Sequence, residues 1–423
     1  MNRMGARTQT RRTGRVLTLL LLVLALVAGA CSSSDEGAEG DPTPAATDDA
    51  TDASTDEPTD GTDDGEAAAL PAGTYRIGFQ SLTSGPAAFA GVPLAQGARL
   101  AVQELNESGA LGEGVEIELV EQDAGGDPAA AIAAVNGMLA EGVSGVLCCA
   151  LSSVAGSVKP LLIEGETPGI ITSAILPGLP EAPYMYRPVL LLSETAYPQL
   201  VDAVVAGGGI ESAVIGVTAD NDGMAADADV WASALEDAGV TVSGRIDTNA
   251  GDTDFAGPAT QVLDQDPDVF VASLLGEEGT LFIKALRDRG FEGEIISNYG
   301  PSNDNNYEVA GDALAGTKFP IAFSPLKDDP AVATFTTLYE AEYGSAPDVF
   351  AAQGYTAARL LVEGIVQAGT GDAPAVAQAL AGIETYDSVF GTLTFTNGQA
   401  ELAGDALILE WVEGGTQRVW TGS

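Results

Sequence analysis

The 423-residue chain contains no histidine. That removes Ser-His-Asp and Cys-His nucleophile systems, histidine-based metal sites and the commonest general base. No GxxxxGK phosphate loop occurs, and no pair of carboxylates stands out as the acid and base of a sugar hydrolase. Basic residues are scarce, 17 against 61 acids. A surface of that charge repels nucleic acid and anionic headgroups, and its simplest role is solubility. Acidic stretches such as "TDEPTDGTDDGE" and "TADNDG" do not fit the EF-hand spacing. There are only three cysteines, and two of them, Cys148 and Cys149, are adjacent. A trans peptide holds neighbouring Cα atoms about 3.8 Å apart, below the usual disulfide range of roughly 4.4–6.8 Å. In a strand the two side chains would also face opposite ways, so this pair reads as two buried thiols, with a strained vicinal disulfide as the alternative. A long apolar run is missing too: Val16 to Val27 is shorter than the roughly 20 residues that cross a bilayer. These absences describe a chain with no catalytic residues, no cofactor and no metal.

What is present starts with an export signal. Arg3, Arg7, Arg11, Arg12 and Arg15 precede the short apolar core, and small residues follow it, the pattern of a secretory signal peptide over residues 1–30. The general secretory route is expected, although Arg11–Arg12 is a twin-arginine pair. The ending "AGAC" resembles the lipobox of bacterial lipoproteins, with Ala28 where leucine is usual. That resemblance implies cleavage before Cys31 and lipid on its sulfur. The plainer alternative is cleavage at "AGA" with Cys31 incidental. Acyl chains would hold the protein to the outer face of the cell membrane, since each buried CH₂ contributes about 0.8 kcal/mol. Five of the 17 basic residues precede Cys31 and all 61 acids follow it. Residues 31–74 are Asp, Thr, Ala, Gly, Ser and Pro with little to bury. They are expected to be a disordered acidic linker. As a coil of about 40 residues it would reach roughly 35 Å.

From Tyr75 the chain alternates β-branched runs with helical patterns. "YRIGFQ", "VEIELVEQ", "VSGVLCC" and "PGIITSA" read as strands. "PLAQGARLAVQELNESGA" reads as a helix with Leu94, Ala98, Ala101, Val102 and Leu105 on one face and Gly109 near its end. "GDPAAAIAAVNGMLAEG" opens with Asp127 as N-cap and Pro128 at the first helical position. The rhythm restarts with "SAVIGVT", "VTVSGRI", "PDVFVAS" and "EIISNY", separated by helices over about 224–238, 256–265 and 277–290. This is an α/β chain with two doubly wound parallel-sheet lobes. Ligands in such sheets bind at the carboxyl ends of strands, so the crevice between the lobes is the expected site. Beyond residue 388 the pattern changes to three antiparallel strands, with turns at Asn397–Gly398 and Gly414–Gly415.

"YRIGFQSLTSGPAAFAGVPLAQGARLAVQELN", "VEQDAGGDPAAAIAAVNGML", "TDFAGPATQVLDQDPDVFVAS" and "YEVAGDALAGT" occur in that order. Together they resemble the substrate-binding lipoproteins of branched-chain amino acid ABC importers, which are type I periplasmic binding proteins. The resemblance implies two lobes joined by three crossovers, placed near Arg187–Val189, Phe319–Phe323 and Phe390–Leu393. Lobe 1 would then hold residues 75–188 with 320–390, and lobe 2 residues 189–319 with 391–423. It also implies a monomer that closes around a small-molecule ligand, an amino acid or relative, and delivers it to an ABC transporter permease. A sensory role, with a small carboxylate or amide signalling through a membrane partner, is the alternative. Ser152 and Ser153, between a strand and a helix, match the loop that receives the ligand carboxylate. Helix N-termini favour such a group, and helix capping is the plain structural role of the same serines. Ser173 matches a second contact loop, and Ser84 and Phe89 match a loop that lines the cleft. Asp222 is the first candidate to receive a ligand ammonium, ahead of Glu277, Glu278 and Asp304. Tyr299 and Tyr355 are candidate wall residues. The family often has glutamate where Tyr299 stands and tyrosine where Asp222 stands, so both positions depart from its pattern.

Overall fold

A computed structural model describes residues 70–194, 196–402 and 406–422. The expected signal peptide, Cys31 and the expected acidic linker as far as residue 69 lie outside the described residues. The first lobe opens with β1 (Gly73–Ser81), α1 (Ala88–Ser108), β2 (Val115–Asp123), α2 (Pro128–Ala140), β3 (Val146–Cys148), α3 (Ser152–Glu164), β4 (Gly169–Ile171) and β5 (Met185–Tyr186). Its five strands run parallel in the order β2-β1-β3-β4-β5. β3 and β4 are buried along their whole length, as expected of a parallel sheet covered by helices on both faces.

The second lobe repeats the scheme with α4 (Ala196–Ala206), β6 (Ser212–Thr218), α5 (Asp222–Asp237), β7 (Thr241–Thr248), α6 (Ala256–Leu263), β8 (Val269–Ser273), α7 (Gly276–Arg287), β9 (Glu294–Ser297), α8 (Asp304–Ala310) and β10 (Lys318–Ile321). The chain then forms α9 (Pro330–Tyr343), α10 (Val349–Ala368), α11 (Ala373–Ala381), β11 (Thr385–Ser388), β12 (Gly391–Thr396) and β13 (Gln399–Leu402). It ends in β14 (Leu407–Val412) and β15 (Thr416–Val419). The larger sheet has the order β15-β14-β10-β9-β8-β6-β7, in which β14 runs antiparallel to both its neighbours, β10 and β15, and the other pairs are parallel. β11, β12 and β13 form a separate three-stranded antiparallel sheet. Phe319 is inside β10, so the chain leaves the larger sheet after Ile321 and re-enters it at Leu407. Residues 391–402 belong to the small sheet.

Local chemistry explains the element ends. Asp127 accepts from Ala130 N at 2.7 Å, with Pro128 in the first turn of α2. Gly109 closes α1 with φ 68°, a left-handed conformation that costs glycine nothing. The tight turn between β12 and β13 uses Asn397 (φ 48°) and Gly398 (φ 82°), the sign pattern that suits the twist of paired strands. α1 and α10 cross at very close range. A Cβ on Gly97 would lie 1.9 Å from Ala351 O, and one on Gly354 would lie 2.0 Å from Leu94 O. Only glycine permits that approach.

α1 begins five residues before the expected Pro93, which lies inside it. Proline has no N–H for the carbonyl four residues back. The Phe89 carbonyl, left without that helical donor, instead receives Asn303 Nδ2 of the second lobe at 3.4 Å. The cysteine pair also differs from expectation. Cys148 and Cys149 are joined as a vicinal disulfide with Cα atoms 3.7 Å apart. β3 ends at Cys148, and Cys149 has φ 75°. The alternation that sends neighbouring strand side chains to opposite faces therefore does not apply to this pair.

Candidate functional site

In each lobe the strand order reverses once, between β1 and β3 in the first and between β6 and β8 in the second. Segments leaving those strands diverge to opposite sides and open a crevice at the carboxyl end. The two crevices face each other and enclose a cavity of about 60 Å³, room for roughly four or five water-sized groups. Its wall follows the strand ends: Leu82 after β1, Leu151 and Ser152 after β3, Ser173 after β4, Asn221 after β6, Leu275 after β8 and Tyr299 after β9.

Three helices begin at this wall without a side-chain cap. These are α1 after Ala87, α3 after Leu151 and α7 after Leu275. The first N–H groups of α3 and α7 lack intrahelical partners, while in α1 Ala88 N and Ala90 N donate to Gly85 O and Ala87 O; each helix end carries partial positive charge. α5 also starts here, but Asn221 caps it, its Oδ1 accepting from Gly223 N at 3.0 Å and Met224 N at 3.1 Å. Ser152 is 3% exposed, and its Oγ accepts from Leu176 N at 3.2 Å, which leaves the hydroxyl proton free to be donated. Asn298 Nδ2 donates to Leu274 O at 3.1 Å, and its Oδ1 accepts from Gly300 N at 2.8 Å. The remaining wall is apolar, with Ile175, Met224 and Leu274 beside the ring cluster of Phe89, Phe350 and Tyr299. The Phe350 centroid lies 5.8 Å from that of Phe89 and 5.8 Å from that of Tyr299. Burial raises the Tyr299 hydroxyl pKa, and the group lies near Ser173 and Gln353.

The lobes touch around this cavity. A Cβ on Gly223 would lie 2.5 Å from Ser152 Oγ and 3.3 Å from Ile175 Cγ1, both in the other lobe. One on Gly276 would lie 2.4 Å from Phe89 Cε2. Behind the first-lobe wall, Arg187 is buried and donates through Nη1 to Ala174 O at 3.1 Å and Leu176 O at 2.8 Å, and through Nε to Gln399 Oε1 at 2.6 Å. Desolvation depresses its pKa to about 10, with Tyr299 and Glu194 opposing that shift. Beneath the second-lobe wall, Asp227 is buried and accepts from Tyr197 OH at 2.6 Å and Ser273 Oγ at 2.9 Å. Burial pushes its carboxyl up to about 6, against the pull of those bonds. Glu278 accepts from Thr218 Oγ1 at 2.7 Å and Gly251 N at 2.5 Å, and burial pushes it up to about 7.

Of the residues singled out in the sequence, Phe89, Ser152, Ser173 and Tyr299 line the cavity. The other four do not. Ser84 is exposed and bonds Asp123. Ser153 is half-buried, and its carbonyl accepts from Ser157 Oγ. Asp222 is exposed at the start of α5 and is absent from the wall. The reason is rotational: Asn221 occupies the cap position and aims inward, so its neighbour faces out. Tyr355 sits on the far side of α10, where its hydroxyl bonds the Glu104 carboxylate and its ring lies under the Arg359 guanidinium. Glu277 and Asp304 are exposed as well. Residues not anticipated are Asn221, Met224, Asn298 and Phe350. The signal for Asn221 was present in "TADNDG", because asparagine before a helical run is a preferred cap.

Two doubly wound lobes with a cavity between their switch points define a two-lobed α/β ligand-binding protein. The chain belongs to the periplasmic binding protein family, whose model matches residues 74–416. It is 28% identical over 326 residues to the Leu/Ile/Val-binding protein BraC3 of Rhizobium johnstonii, covering 75% of this chain and 86% of that one. It is 25% identical over 359 residues to the leucine-, isoleucine-, valine-, threonine- and alanine-binding protein of Pseudomonas aeruginosa, covering 82% and 93%. Among solved structures, the branched-chain amino acid transporter substrate-binding protein LivJ from Streptococcus pneumoniae, in complex with isoleucine, shares the fold. Its TM-score is 0.72 at 22% identity, covering 82% of this chain and 98% of that one. A Rhodopseudomonas palustris ABC transporter solute-binding protein in complex with benzoate superposes with TM-score 0.73 at 21% identity, covering 82% and 95%. The type I periplasmic binding fold expected from the sequence is therefore the fold of this protein.

Proposed function

We propose that this protein is an extracytoplasmic lipoprotein, tethered through Cys31, that captures a small carboxylate-bearing solute between its lobes and delivers it to an ABC importer. The observation that carries the reading is the interlobe cavity where the N-termini of α3 and α7, which lack a side-chain cap, meet apolar walls. Helix N-termini offer N–H groups and positive potential to an anion, and Ser152 adds a hydroxyl donor. The apolar wall suits a solute that carries an apolar body beside its polar group. The working division moves the expected boundaries so that β10 stays whole and β12 and β13 stay beside Arg187: residues 75–188 with 322–402 form one lobe and 189–321 with 406–422 the other, closing as a monomer about the three connections. The amino acids named for the relatives are the first ligands to test.

A ligand at 100 times its Kd adds about 2.7 kcal/mol to stability. Thermal unfolding of the full-length protein against a panel of amino acids, amides and small carboxylates should therefore show a clear rise in Tm with at least one compound. No rise with any of them at millimolar concentration counts against solute capture. Replacing Cys31 by alanine should move the protein from the membrane to the soluble fraction. A gene deletion that abolishes uptake of the ligand supports delivery to an importer, whereas intact uptake favours the sensory role.

A further inference from the structure

We infer that the occupant of the interlobe cavity is an apolar monocarboxylate without an α-ammonium group, rather than an amino acid. The inference rests on the carboxylate-capture reading above and narrows it. The polar side chains on the wall are Ser152, Ser173, Asn221, Asn298 and Tyr299, none of them an acid. Their acceptor atoms are largely committed. Asn221 Oδ1 serves two backbone N–H groups, Asn298 Oδ1 serves Gly300 N, and Ser152 Oγ serves Leu176 N. Donors, by contrast, are open. Asn221 is 6% exposed, and its Nδ2 has no hydrogen-bond partner among the described residues. The Ser152 hydroxyl proton and the first N–H groups of α3 and α7 are likewise available, whereas in α1 Ala88 N and Ala90 N already donate to Gly85 O and Ala87 O.

The nearby charges agree with this asymmetry. Asp222 and Glu277 are exposed outside the wall. Glu278 and Asp227 are turned to Thr218 and Gly251, and to Tyr197 and Ser273. Behind Ser173 and Ala174 lies Arg187, whose hydrogen bonds go to two carbonyls and a glutamine. An ammonium enclosed here would give up water for a wall of donors, and an unpaired buried charge is strongly disfavoured. A carboxylate meets donors and positive helix ends, and its hydrocarbon body meets Leu82, Leu151, Ile175, Met224 and Phe350.

Calorimetric titration of the full-length protein with matched pairs tests this: leucine against 4-methylpentanoate, and phenylalanine against 3-phenylpropanoate. The acid lacking the amine should bind at least tenfold more tightly in one pair or both. Tighter binding of the amino acid in both pairs overturns the inference and leaves carboxylate capture standing. Tight binding of trimethylglycine also overturns it, in favour of a cation held by the faces of Phe89, Tyr299 and Phe350. Binding by no member of any pair overturns the capture reading and the inference with it. Asn221→Asp keeps the helix cap but replaces the free donor with a carboxylate. It should shift the acid-to-amino-acid preference by tenfold or more toward the amino acid, and an unchanged preference means that Asn221 serves only as a cap.

Discussion

Gly223→Ala isolates lobe closure from folding. Gly223 lies in the first turn of α5, and its added methyl would sit 2.5 Å from Ser152 Oγ and 3.3 Å from Ile175 Cγ1, both in the other lobe. Within its own lobe the tightest contact is 3.1 Å, to Asn221 Oδ1. With the lobes apart, the substitution removes only the entropy cost of a helical glycine, which favours the variant by about 0.5–1 kcal/mol. With the lobes together, Ser152 must rotate away and lose its bond to Leu176 N, or the halves must stay ajar. Overpacking of this kind costs about 1–3 kcal/mol, so affinity for the ligand should fall roughly 5- to 150-fold. The assay is calorimetric titration alongside the Tm of ligand-free protein. The expected result is weaker binding with an unchanged or slightly higher ligand-free Tm. Wild-type affinity would refute the idea that the ligated protein closes at this contact. A ligand-free Tm lowered by several degrees would show that the contact persists without ligand. Gly276→Ala is the contrast, because its methyl would meet Gly300 O within the same lobe at 2.4 Å as well as Phe89. It should lower both stability and affinity.

Two further outcomes follow from buried charges. Arg187→Met leaves the Ala174 and Leu176 carbonyls and Gln399 Oε1 without their donor. Each orphaned buried group costs about 1–3 kcal/mol, so urea unfolding should show a loss of at least about 3 kcal/mol, and ligand affinity should fall as the Ser173 loop loosens. A loss under 1 kcal/mol would mean that this arginine does not brace the loop. Glu278 is raised from 4.5 to about 7 by burial, with Asp220 and Asp252 adding to that shift. The folded state therefore keeps a proton that the unfolded state has released, and stability falls as pH rises from about 4.5 to about 7 before levelling off, by roughly 3 kcal/mol in all. Asp227 acts in the same direction up to about pH 6, so the interval from pH 6 to 7.5 reports mainly on Glu278. Tm should drop across that interval in the wild type and much less in Glu278→Gln, and parallel curves would show that Glu278 does not carry the effect.

Much of the site's address was legible locally. The strand–helix alternation placed strand ends near Leu82, Cys148, Thr172, Thr218 and Asn298, and loops after parallel strands are where such sheets bind ligands. The family resemblance, laid over those strand ends, named Phe89, Ser152, Ser173 and Tyr299, all four of which line the cavity. Two of the misses, Asp222 and Ser153, have one cause. A helix advances about 100° per residue, so an error of one position in a helix start turns a wall residue into a surface residue. Asn221 and Asp222 differ in that way, and so do Ser152 and Ser153. Phe89 entered the wall from inside α1, because that helix begins before Pro93 and not after it. Tyr355 lies on a helix buried nearly all round, where no polar face marks which side meets the cleft.

The sequence by itself determined the alternation of elements, their caps and turns, and the parallel sheets, because these follow from spacing and backbone preference within a few neighbouring residues. The tertiary structure alone decided which side chains share the cavity. It also decided that Gly223 meets Ser152, that Asn303 reaches the Phe89 carbonyl freed by Pro93, and that Cys149 turns onto Cys148. Those contacts depend on the angle and distance between elements far apart in the chain, which are set by packing of whole helices and sheets against one another.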